Sequence, residues 1–246
     1  MKEINSEIKA QRHEEYNQKA RKYPAYLSLV IPIVLGVAMG VQDSTNLNPW
    51  KKALIYLLSV SAISAALFFL LRFTLRDISK IFPEKILFCD RLKPTTRLLY
   101  SGDKTFSEEK KANIRKKIKS KKNIDLQKFR VKTYTNKEYV KRVDEAVSWL
   151  LDVTRFDDIL FEYNWIFGFW RNISAGFLVD SVLVFILSAV NKWIFVLPFG
   201  SSLIWIGIIV FFVAILSAYV AYYNGLIFAK KVYDVFMNLN DDENNY

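Results

Sequence analysis

Residues 173–190, ISAGFLVDSVLVFILSAV, and residues 203–228, LIWIGIIVFFVAILSAYVAYYNGLIF, decide the fold class. The first carries a single charge, Asp180, and the second carries none. A helix rises about 1.5 Å per residue, so about 20 apolar residues cross the ~30 Å hydrocarbon core of a bilayer. Both blocks meet that length. The stretch joining them, NKWIFVLPFGSS, contains Pro198 and Gly200 and reads as a turn, so the two blocks predict a helical hairpin.

Toward the N-terminus lie two more uncharged blocks, PAYLSLVIPIVLGVAMGV (24–41) and ALIYLLSVSAISAALFFLL (53–71). The polar linker 42–50 is too short to be a domain, so these predict a second hairpin. The expected fold is therefore mainly α and integral to a membrane, with four transmembrane helices as two hairpins around a small basic α(+β) cytoplasmic insert. The segments are a cytoplasmic tail (1–23), hairpin 1 (24–72), the basic domain (73–171), hairpin 2 (172–229) and a second cytoplasmic tail (230–246). The first 23 residues are polar and charged, unlike a cleavable signal peptide.

Orientation follows the bias of Lys and Arg toward the cytoplasm. Arg12, Lys19, Arg21 and Lys22 precede the first block, and Arg72, Arg76, Lys80 and Lys85 follow the second. Arg155 and Arg171 precede the third, and Lys230 and Lys231 follow the fourth, whereas the short loops hold only Lys51, Lys52 and Lys192. Both termini and the insert are expected inside.

Composition narrows the function. The 246 residues are 52% apolar and 15% aromatic, which excludes disorder. One cysteine, Cys89, excludes a disulfide framework, and with His13 as the one histidine no Cys/His zinc site or His-based catalytic triad can form within one chain. No Walker loop, dinucleotide-binding glycine turn or nucleophile elbow is present. No cofactor, no metal and no enzymatic activity are expected. Asp157, Asp158 and Glu162 form one carboxylate group at helical spacing. It is either a Mg²⁺ site of a lipid-processing enzyme or the acidic start of a helix.

The chain has 35 Lys+Arg against 24 Asp+Glu, a net +11, and residues 73–171 hold 23 and 14 of these. Within that region Lys110–Lys122, KKANIRKKIKSKK, has 8 basic residues and no acid. A capping box at Thr105–Glu108 would start its helix, with Ile114 and Ile118 facing inward. Such a run suits an anionic leaflet or a phosphate-bearing ligand. Aromatics are not interleaved in it, so specific nucleic-acid recognition is not expected. KPTTRLLY (93–100) reads as extended, Ser101–Asp103 as a turn, and a helix capped by Asn136 is expected to run to about Thr154. The candidate contacts for a signal or partner are Thr95, Thr96, Arg97, Lys110, Lys111, Arg115, Lys116 and Lys119.

Asp180 is the one acid inside a predicted span, where a charge costs at least about 2.5 kcal/mol on insertion scales. With Asn164, Asn172 and Asn224 it is a candidate pore-lining or buried polar residue. Small residues four apart, Gly36 with Gly40 and Ala214 with Ala218, let helices approach closely. They suit packing within one chain or a homo-oligomer in the bilayer.

Two stretches, KPTTRLL (93–99) with SEEK (107–110) and IRKKI (114–118), and YNWIFGFWRN (163–172), sit between and against the two hairpins. In this arrangement the chain resembles small four-span membrane proteins carried in bacterial phage-defence cassettes, among them pore-forming effectors. The resemblance implies a cytoplasmic part that receives an infection signal, from a cytoplasmic protein or a phosphate-bearing ligand, and a membrane part that oligomerises and leaks ions. Two alternatives remain: an anchor that recruits a soluble partner, and the metal-dependent lipid-processing enzyme.

Overall fold

The computed structural model describes residues 2–42, 68, 71, 73–85, 93–100, 102–126, 137–191 and 200–239. The linker 43–50, most of the block 53–71, the turn 192–199, the cap expected at Asn136 and the extended stretch expected before it lie outside those residues. So do the surroundings of Gly36 and Gly40.

The fold is mainly helical, with no strand among the described residues. Helix α1 (Lys2–Tyr16) passes through a π-helical stretch, Asn17–Lys22, into α2 (Tyr23–Gln42). Helix α3 (73–79) runs into another π-helical stretch, Lys80–Lys85. Then come α4 (Pro94–Leu98), α5 (Glu108–Lys122), α6 (Lys137–Val153), α7 (Asp158–Val190) and α8 (Gly200–Asn238). Helices α7 and α8, of 33 and 39 residues, are long and apolar enough to cross a membrane.

Two local expectations change. Residues 94–98 are helical, not extended. Pro94 occupies the first turn, where its missing N–H costs nothing, and the extended residue is Lys93 before it. Helix α5 is capped by Ser107, whose hydroxyl accepts from the Lys110 N–H, and not from Thr105. It ends at Asn123, whose φ of 56° is a left-handed cap that asparagine tolerates.

The chain divides into two compact units, one of residues 1–83 with 168–221, the other of 84–167 with 222–246. In the first, α7 lies close against α1 and α2 through glycines about two turns apart. A Cβ at Gly168 would stand 2.6 Å from Tyr16 Oη and 3.0 Å from Ala20 Cβ. A Cβ at Gly176 would collide with Ser28 Oγ. Contacts that climb α7 also climb α1 and α2, so α2 and α7 run in the same direction. Ala25, Leu29, Leu71, Leu75 and Ala175 fill the space between, and Ile33 and Val179 pack on them. On α7, Ser181 Oγ donates to the Gly207 carbonyl of α8 at 3.1 Å.

This unit has its polarity reversed relative to a water-soluble protein. The buried face of α8 is largely small, with Gly207, Ala214, Ser217, Ala218 and Ala221. Its outer face is large and apolar, with Trp205 67%, Phe212 60% and Leu216 65% exposed. Tyr26, Leu27, Val30 and Val34 on α2, and Val182, Leu183, Phe185 and Ile186 on α7, are exposed as well. An apolar exterior of this kind suits lipid contact.

The second unit has an ordinary hydrophobic core. Leu98, Leu99, Ile114, Ile118, Val143, Val147 and Leu150 meet Val232, Tyr233 and Phe236 of α8. The stretch expected to be a tail from residue 230 thus supplies core side chains up to Leu239.

The glycine contact gives a direct test. Gly176→Ala is expected to cost about 1–3 kcal/mol through overpacking, read as a lower Tm of the purified protein in detergent. Adding Ser28→Ala removes the colliding hydroxyl and should recover most of the loss. A double variant no more stable than the single one would contradict the packing described.

Candidate functional site

The basic run folds inward more than it projects. Ile114 and Ile118 point α5 at the core, and Lys111, three residues before Ile114, shares that face and is fully buried. Its ammonium donates to the carbonyls of Tyr100, at 2.7 Å, and Asp103, and to Glu108 Oε1 at 2.9 Å. Arg115 donates to the Leu99 carbonyl at 2.9 Å. Together they pin the backbone of Leu99, Tyr100 and Asp103 onto α5.

Lys117 donates to the carbonyls of Met237 and Leu239 at 2.9 and 2.7 Å, satisfying acceptors that the end of α8 leaves open. Lys110 pairs with Asp234 at 2.7 Å and lies 4.4 Å from the Phe106 ring centre. Lys119 pairs with Asp125 at the surface, and Lys116 is exposed. Ser107, Glu109, Lys110, Asn113, Asp234, Met237 and Asn238 line an open cleft of ≈ 390 Å³.

Thr95 and Thr96 are buried. The Thr95 carbonyl accepts from Tyr233 Oη at 2.6 Å, and Thr96 Oγ1 donates to Asp144 at 2.8 Å. Arg97 pairs with Asp103 at 3.0 Å, and the Thr105 N–H also reaches that carboxylate. Burial pushes Asp103 upward, but the hydrogen bonds from Thr105 and Arg97 outweigh it and hold the group below its ordinary 3.8. Burial holds the Tyr233 phenol well above its ordinary value.

Asp157 accepts the Leu160 N–H at 2.8 Å and caps α7, with Asp158 in its first turn. Among the described residues no three His, Cys, Asp or Glu side chains are grouped to hold a metal.

The four candidate polar residues of the spans are divided between the units. Asn164 and Asn224 are half-buried in the second. Asn172 and Asp180 are buried in the first, eight residues apart on α7 and therefore near one face. Asn172 Nδ2 donates to the Ala20 carbonyl, inside the π-helical stretch. Asp180 is 1% exposed, and neither carboxylate oxygen has a hydrogen-bond partner among the described residues. Ser174 Oγ, also buried, has none. A buried carboxyl left this way is costly, which marks Asp180 as the most unusual side chain in the first unit.

No family model, no curated protein and no solved structure matches the chain.

Sequence inspection placed Ile114 and Ile118 on the inner face of α5 but not Lys111. The i, i+3, i+7 spacing of Lys111, Ile114 and Ile118 was the available signal.

Two stability measurements follow. Lys111→Met removes a buried donor from the Tyr100 and Asp103 carbonyls and is expected to cost about 2–4 kcal/mol in the second unit, seen as earlier loss of its amide-exchange protection. Asp103, with its lowered value, contributes stability that is complete above 3.8 and lost as pH falls through the depressed value. Asp103→Asn should therefore flatten the acid limb of a pH–Tm curve, and an unchanged limb would exclude this role.

Proposed function

We propose that this chain is a bacterial inner-membrane effector, with four spans and both termini cytoplasmic. It oligomerises and permeabilises or depolarises the membrane when its basic cytoplasmic domain is engaged by a protein or phosphate-bearing ligand, in antiviral defence. The observation that carries the reading is the unpartnered Asp180 carboxylate inside a unit whose small residues face in and whose large apolar residues face out. A membrane protein retains such a group where ions or polar contacts are handled. The common direction of α2 and α7 adds support, because two hairpins that both start in the cytoplasm make their first and third spans parallel.

The test is membrane potential in cells expressing the chain, followed with a voltage-sensitive dye. Wild type is expected to depolarise the cells once its domain is engaged. Asp180→Ala is expected to alter the rate or extent, at equal amounts of inserted protein. A potential that stays at its resting value under every condition would overturn this function and favour the anchor that recruits a soluble partner.

A further inference from the structure

Two prolines in α2 release two carbonyls, and α7 presents a polar side chain at the matching spacing. Proline has no N–H, so Pro24 cannot donate to the carbonyl of Ala20, nor Pro32 to that of Ser28. The first is answered, since Asn172 Nδ2 donates to the Ala20 carbonyl. The second lies eight residues further along α2. Eight residues beyond Asn172 on the parallel α7 stands Asp180. The register between them is held by Gly176 against Ser28, and by Val179 and Ile33, which both pack on the cluster containing Leu29 and Ala175.

At the first position a donor meets an acceptor. At the second the register sets a carboxylate level with a carbonyl, and both are acceptors. Among the described residues no counter-charge comes from the packed elements. Between Tyr23 and Gln42 the titratable groups are the exposed Tyr23 and Tyr26. On α3, Arg76 and Asp77 are exposed. Between Gly200 and Ala221 the one titratable group is the exposed Tyr219. The nearest charge on α7 is Arg171, nine residues away, about 13 Å along the axis.

We infer that the Asp180 carboxylate and the Ser28 carbonyl form a binding site for a small monovalent cation, either a proton or an alkali-metal ion. A proton is donated from the carboxylic acid to the carbonyl, whereas Na⁺ or K⁺ is ligated by both oxygens. Helix-interrupted carbonyls facing an intramembrane acid supply the oxygen donors that such cations need. This deepens the effector reading by naming the charge handled, and it rests on that reading for the membrane around the site.

The experiment uses the full chain in lipid nanodiscs and follows Tm in three titrations. These are NaCl and KCl, each against N-methyl-D-glucamine chloride at constant ionic strength and pH, and pH, kept above the acid limb that Asp103 governs, in N-methyl-D-glucamine chloride alone. A metal-ion ligand raises Tm with added Na⁺ or K⁺, and a proton raises it as pH falls. Asp180→Asn is expected to abolish the dependence. Pro32→Ala, which returns an N–H to the Ser28 carbonyl, is expected to weaken it even if Asp180→Asn does not fold. A flat wild-type response in all three titrations, or the same slope in either variant, overturns the site. Cation-dependent Tm without depolarisation in cells leaves the site and removes the effector function. Depolarisation with flat titrations does the reverse.

Discussion

A carbonyl deprived of its N–H in apolar surroundings must find another donor, and the first unit is arranged around that requirement. Pro24 and Pro32 create the need in α2. Glycines at 168 and 176 bring α7 close, and Asn172 answers the first of the two carbonyls. Neither feature is useful alone. A proline without a close neighbour would leave an orphan acceptor, and two glycines without polar partners would give only a tight contact. The same rule explains why the polar side chains Ser28, Asn172 and Ser181 are buried while Leu216 and Phe212 face outward.

The second unit meets the same requirement with charge. Its buried ammonium, Lys111, gathers two backbone carbonyls and one carboxylate, and Lys117 takes the last carbonyls of α8. A cluster of eight basic residues thus separates into side chains that hold the domain together and side chains, such as Lys116, that face solvent. Formal charge overstates what a partner could touch. Substitutions across the run therefore need sorting by burial before any loss of function is attributed to binding.

Helices α7 and α8 were legible because uncharged blocks of that length have few alternatives. Asp180 was legible because it interrupts one of them. Its relation to Ser28 was not, since periodicity identifies the face of a helix but not the neighbour or the register. The short α4 was misread because threonines after a proline suit an extended strand as well as a first helical turn, and the tertiary bond from Tyr233 to Thr95 comes from residues far along the chain. The end of α8 was assigned to a tail because Lys230 and Lys231 mark a membrane boundary. The spacing of Val232, Tyr233 and Phe236 nevertheless continues an apolar helical stripe beyond that boundary.

The π-helical stretch Asn17–Lys22 lengthens the N-terminal segment by a residue while keeping its phase relative to α2. A wider turn carries a residue that an α-helix would not accommodate, so it behaves as an insertion absorbed without a loop. Excising one residue there would return the stretch to regular winding with little rotation, because six residues of a wider turn sweep about as far round the axis as five α-helical residues at about 100° each. Tyr16 would keep its face toward Gly168, as Ser28 would toward Gly176. The stretch thus carries a residue more than a regular helix would need, without changing the face that α1 offers its surroundings.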